Sequence, residues 1–146
     1  MEVKVEGLDR LLKKLDKLGG SIEQSTQKAL LKGGAMFESD AKERCPVDTG
    51  ELRESIHTEA KDAQTVTVGT SCEHGVYVEY GTGPKGDPSV PHTTKKSWRY
   101  KDKDGSWHTS HGQPPQPFMR TAFAENKDKV VDVAKESIRE DMKNLK

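Results

Sequence analysis

Aromatic side chains are scarce, at 5% of the chain, and apolar residues of every kind reach only 31% against 33% charged. A core drawn from so little is thin. That leaves either partial disorder or a domain that gains stability by burying surface against partners, and helical periodicity along much of the chain favours the second. Net charge is also missing, since Lys plus Arg and Asp plus Glu number 24 each. A global electrostatic attraction to nucleic acid or to a membrane surface is therefore excluded, though local patches are not. No stretch of about 18 apolar residues exists to cross a bilayer, and the N-terminal residues carry charge in place of an apolar signal core. The expectation is a soluble chain made in the cytoplasm, with no membrane partner. Two cysteines, Cys45 and Cys72, are too few for a disulfide framework and read as reduced thiols. The length, 146 residues, suits one domain spanning 1–146.

What is present is periodicity, punctuated by glycine and proline. Val3 and Val5 alternate with charge, a weak strand signal or a tail that pairs with a sheet edge. Leu8, Leu11, Leu12, Leu15 and Leu18 recur at helical spacing until Gly19-Gly20, which marks a short amphipathic helix. Ser21 with Gln24 has the spacing of a capping box, and Ile22, Ala29, Leu30, Met36, Phe37 and Ala41 continue on one face toward Arg44 and Cys45. Gly33-Gly34 in the middle of this long helix costs about 1 kcal/mol per glycine relative to Ala. Either another element crosses close by there, or the helix has a local weak point.

The chain turns at Cys45-Pro46-Val47-Asp48-Thr49-Gly50-Glu51-Leu52-Arg53-Glu54-Ser55-Ile56. Pro46 stops the long helix, and Asp48 with Glu51 at capping-box spacing opens a single short turn whose Leu52 and Ile56 dock on the core. Asp48-Thr49-Gly50 is also the tripeptide of aspartic proteases. Such a site needs a second carboxylate to share the proton and a strand-turn-strand setting, and here a helix precedes and charge follows.

Two short strands, Ile56 to Lys61 and Thr65 to Gly69, then read as a hairpin. Val76 to Tyr80 alternates again before Gly81-Thr82-Gly83, as a third sheet element or a tight turn. Pro84, Gly86, Pro88 and Pro91 leave residues 84–94 without regular structure, and Trp98 to Lys101 and Ser106 to Thr109 flank Asp102-Lys103-Asp104-Gly105 as a second hairpin. Both tryptophans lie in this arm, 84–113, where a small domain ordinarily spends them in its core; such an arm suits an interface and is expected to be mobile until a partner covers it. Pro117 can begin a last helix, along which Phe118, Met119, Ala122, Phe123, Val130, Val133, Ala134, Ile138, Met142 and Leu145 recur at threes and fours. Helices bracketing strands predict an α+β fold, amphipathic helices laid on a small antiparallel sheet with an exposed β-hairpin arm.

Chemistry is thinly represented. Cys72-x-His74 and His108-x-x-His111, with Cys45 as an extra, are the nearest approach to a metal site, but the spacing is not that of paired zinc ligands and surface histidines explain it as well. No nucleophile motif and no phosphate-cradling glycine loop occurs, so neither a catalytic site nor a cofactor is expected. Lys85, Lys95, Lys96, Arg99, Lys101 and Lys103 interleave with Trp98, Tyr100 and Trp107 as a backbone-binding arm would, while Asp87, Asp102 and Asp104 halve the charge.

Three motifs in order, Cys45 to Ile56, Tyr77-Val78-Glu79-Tyr80-Gly81-Thr82-Gly83 and Gln116-Pro117-Phe118-Met119-Arg120-Thr121-Ala122-Phe123, make the chain similar to the tail-component family of long-tailed double-stranded DNA bacteriophages, and it resembles their neck or head-tail joining proteins. The resemblance implies a virion component without enzymatic activity, assembled in the host cytoplasm as a ring of six copies between capsid and tail. It implies as partners further copies of the chain and the adjacent connector, tail-terminator or tail-tube proteins, with DNA passing through the lumen unread. By the same resemblance Pro46, Asp48, Thr49, Gly50 and Leu52 are the helix-to-sheet joint, Tyr77, Glu79, Gly81 and Thr82 a central strand, and Pro117, Phe118 and Phe123 the start of the last helix. In a ring, Trp98, Tyr100 and Trp107 would anchor the arm to a neighbour and Lys95, Lys96 and Arg99 would steer it. The competing expectation is a small hydrolase or metal-dependent enzyme built on Asp48 or on Cys72, His74, His108 and His111.

Overall fold

The computed structural model describes residues 2–3 and 22–144, so the predicted leucine helix, the Ser21 cap and Val5 lie outside the described residues. The elements are β1 (Glu2–Val3), α1 (Ile22–Arg44), α2 (Glu51–Ser55), β2 (Ile56–Ala60), β3 (Val66–Thr70), α3 (Gly75–Tyr80), β4 (Trp98–Lys101), β5 (Trp107–Ser110) and α4 (Met119–Lys143), with a 3-10 turn at Gly83–Lys85. The α+β expectation holds. One antiparallel sheet has the order β1-β3-β2 and a separate ribbon is formed by β4 and β5.

The order of layers follows from the two adjacent glycines. Residues one apart on a helix point about 100° apart, so Gly33 and Gly34 face different neighbours. A Cβ on Gly33 would meet Val130 of α4 at 2.6 Å; one on Gly34 would meet Thr58 of β2 at 2.6 Å and Val66 of β3 at 3.0 Å. The helix therefore lies between the sheet and α4, and the glycines mark a crossing on both sides. α4 runs antiparallel to α1, since Ser25 and Lys28 near the start of α1 bond Asp141 near the end of α4, while Asp40 and Arg44 reach Asn126 and Glu125.

Strand alternation puts Ile56, Val66 and Val68 inward, each 1% exposed or less, and leaves His57 and Glu59 in water. Ile56 and Val68 join Phe37, Ala41, Leu52, Phe118, Ala122 and Val130 in one apolar cluster, with Phe37 meeting Phe123 edge-on at 6.0 Å, while Val66 packs in a second cluster with Ala29, Leu30, Ala134 and Ile138. The turn between β2 and β3 is closed by the Lys61 N–H donating to Thr65 O and by the Asp62 carboxylate accepting from Gln64 N–H.

Four expectations are corrected. Val76 to Tyr80 is the helical turn α3, not a strand: its N–H groups bond backward to His74 and it ends at Gly81. The residues expected as a central strand, Tyr77 and Glu79, are therefore on a helix, followed by Gly81 and Thr82. Asp48 is not the cap of α2. Gly50 holds that position with φ 89°, Asp48 is exposed, and the Thr49 hydroxyl accepts from Glu51 N–H at 3.3 Å. Pro117 is not the first helical residue, because α4 starts at Met119 with Phe118 as its cap position. Ile56 is not on the helical turn with Leu52, where one reading put it; it caps α2 in extended conformation and opens β2, where the strand reading put it.

Candidate protein-interaction site

A helix start exposes N–H groups that need acceptors, and Gln116-Pro117-Phe118 supplies no short polar cap. The acceptor comes from forty residues away. Glu79 of α3, 5% exposed, takes Met119 N–H at 2.9 Å and Arg120 N–H at 3.0 Å, and its carboxylate also pairs with Arg120 Nε at 3.0 Å. The same guanidinium reaches Asp87 through Nη1 at 2.9 Å and lies 4.4 Å above the Tyr80 ring. Ser89, through its hydroxyl and its N–H, and then Arg120 hold the Asp87 carboxyl down at about 2. Two of the sequence motifs thus touch, and what joins them is a clamp that fixes α3 to the start of the last helix. The absent cap before α4 was the sequence signal for it.

The clamp also roots the arm. Thr82 and Gln113 exchange backbone hydrogen bonds at 2.9 and 3.1 Å, Gln113 donates its side-chain amide to Tyr77 O, and Gln116 N–H donates to Val78 O. The chain from 83 to 112 thus leaves and returns through one bridge. Trp98 packs back on that root, its ring occupying the space where a side chain on Gly83 would stand.

Pairing of β4 with β5 sorts the arm into two faces. Trp98 opposite Ser110 and Tyr100 opposite His108 share one; Arg99 opposite Thr109 and Lys101 opposite Trp107 share the other. On the first, Tyr100 stacks on His108 at 5.5 Å. On the second, Trp107 lies under Arg99 and Lys101, at 5.3 and 5.9 Å from the ring centre. The three aromatics expected to act together are thus separated, Trp98 half-buried against the body and Tyr100 and Trp107 exposed on opposite faces. Lys95 and Lys96 are exposed on the approach to β4.

Between the joint, α3 and the arm's first face lies a groove lined by Val47, Val76, Tyr77 and Tyr100. These four are among the exposed large apolar residues of the chain, at 56, 59, 56 and 47%. Asp48, Glu51, Lys101, Lys103 and Asp104 line the groove as well, and Lys103 crosses to Glu51 at 2.5 Å. That ion pair holds the Glu51 carboxyl below its usual range.

The residues of the enzyme reading are not assembled into one place. Cys72 Sγ sits 2.9 Å from His74 Nδ1, while His108 Nε2 bonds Asp102 at 2.6 Å on the arm. No group of three or more His, Cys, Asp or Glu able to hold a metal occurs among the described residues. Cys45 is buried and free, its thiol pushed up by burial, and Cys72 packs against the same cluster. Among the described residues no helix is long and apolar enough to cross a membrane.

The family described as bacteriophage HK97-gp10, putative tail-component, matches residues 9–81, half of the chain. The matched span contains the joint and α3 through Gly81 and stops short of the arm and α4. No curated protein and no solved structure matches the chain.

Proposed function

We propose, from the premise that this chain belongs to the HK97-gp10-like family of bacteriophage tail components, that it is a non-enzymatic ring protein of the head-tail connector, joining the filled capsid to the tail. The observation that carries the reading is the groove: Val47, Val76 and Tyr77, from the family-matched half, and Tyr100, from the arm, leave apolar surface in water that a partner would cover. The chain acts as one domain, 1–146, in a closed ring of six copies in the virion. Its further partners are the neighbouring connector, tail-terminator or tail-tube proteins, and DNA passes through the lumen without being read.

A phage unable to make this chain tests the proposal. Electron microscopy of the lysate should show filled heads and finished tails that remain separate, and the chain supplied in vitro should join them. Intact infectious particles formed without it would refute the connector role. Heads alone, with no tails, would move the chain to an earlier step of tail building.

A further inference from the structure

We infer that copies of this chain dock head to tail, the Trp107 face of one hairpin seating in the groove of Val47, Val76 and Tyr77 on the next. The inference rests on the reading of the chain as a virion building block, and its test is chosen so that each can fail without the other.

Two uncovered surfaces of opposite character lie on the two sides of one β-ribbon. The inner side, with Tyr100, completes an apolar groove; the outer side projects Trp107, 60% exposed, between Arg99 and Lys101. Charge separates them in the same sense. Among the described residues Asp48 and Asp104, which line the groove, make no ion pair, and neither do Arg99 and Lys101 beside Trp107, of which Lys101 also reaches the groove's edge; Lys95 and Lys96 precede them in the arm. An indole with a basic collar thus matches an apolar slot that offers the unpaired carboxylates Asp48 and Asp104, and both belong to the same chain. Tryptophan in a slot, with arginine at its edge, is the composition of an interface hot spot. Because the two surfaces differ, the contact is heterologous, and repetition builds a closed ring or an open filament and never stops at a symmetric pair. Trp98 takes no part, being spent on the root of the arm.

The test uses the full chain in a groove variant, Val76→Asp, and a knob variant, Trp107→Glu, both at exposed positions whose folding circular dichroism verifies. Sedimentation should show wild-type mass rising with concentration past a dimer, and self-association weakened on the order of tenfold or more in each variant. A mixture of the two variants should give one capped dimer and nothing larger, since the groove of one and the knob of the other remain intact. A photoreactive benzoylphenylalanine at position 107, in a mixture of light and heavy isotope copies, should cross-link to the peptide carrying Val76 and Tyr77 of the other copy. Either variant associating as wild type, a mixture that fails to pair, or a wild-type chain that neither associates nor cross-links between copies would each overturn the inference. Virions that carry Trp107→Glu protein at normal copy number discard this interface and leave the tail-component reading standing; purified virions lacking the chain altogether do the reverse.

Discussion

In the layered body the contacts are almost wholly withdrawn from water: Phe37, Ile56, Val66, Val68 and Phe118 are each 1% exposed or less, and Gly33 and Gly34 let three elements approach to touching distance. From Pro84 to Gly112 no large apolar side chain is fully buried. The arm is held by a backbone bridge at Thr82 and Gln113, by Asp87 on Arg120, by Lys103 on Glu51 and by one half-buried tryptophan. Burial of apolar area is non-directional and strong in sum, whereas exposed hydrogen bonds and ion pairs each contribute little. The body is thus built to be one rigid packing. The arm is positioned without being stabilised much, as a segment held by few buried apolar contacts is.

The sharpest way to break this contrast is to damage each region once. Phe37→Ala empties the centre of the cluster and should cost about 3–5 kcal/mol, enough to bring much of a marginal domain's stability down, read by urea denaturation of the full chain. Trp98→Ala should lower global stability by no more than about 1 kcal/mol while speeding amide exchange at Thr82 and Gln113. A global loss from Trp98→Ala as large as that from Phe37→Ala would mean that arm and body are one cooperative unit.

Glu79 stands between the two regions and should follow the body. Glu79→Ala strands the N–H groups of Met119 and Arg120 and leaves Arg120 half-compensated, at a cost of about 2–4 kcal/mol. Glu79→Gln keeps an acceptor and should lose clearly less. Equal losses in the two variants would show that charge, and not the cap, is what α4 needs. Gly34→Ala comes next. Its helix propensity gains about 1 kcal/mol, but its Cβ would press on Thr58 and Val66, and overpacking costs about 1–3 kcal/mol, so the net should be a loss near 1 kcal/mol. Thr58→Ser in the same chain removes the nearest methyl and should return part of it; a stabilised Gly34→Ala would refute the three-layer crossing.

How much of this was legible beforehand follows the same division. The long helix, the first hairpin, the arm's strands and the last helix are written in local periodicity, and α1, β2, β3, β4, β5 and α4 fall within a few residues of where it put them. Val76 to Tyr80 was misread because alternation over five residues also fits a helical turn whose Val78 and Glu79 face inward while Val76 and Tyr77 face out. Asp48 was misread because capping rules assume that the helix starts beside the candidate, and the left-handed Gly50 delays it. The groove lay beyond any local rule. Val47, Tyr77 and Tyr100 come to line one groove only once the Thr82 to Gln113 bridge folds the arm back, and nothing within a few residues of any of them says so.

The smallest expected effect is also the most specific to the arm's root. The Asp87 carboxyl is held at about 2, against 3.8 ordinarily, by the Ser89 hydroxyl, then the Ser89 N–H, then Arg120. The folded state thus gives up this proton more readily than the unfolded chain does. The contribution to stability is therefore complete above the unfolded value of 3.8, fades as pH falls from there, and is gone once pH passes below about 2. A carbon-detected NMR titration of Asp87 should find the low midpoint, and Ser89→Ala should raise it, because the hydroxyl is the largest of the three causes. Amide protection at Asp87, which donates its N–H to Tyr80 O, should weaken over the same interval while amides of Val66 and Val68 in the sheet change later or not at all. If the sheet amides lose protection at the same pH as Asp87, acid is opening the whole fold at once and the arm's root is not an independently released contact.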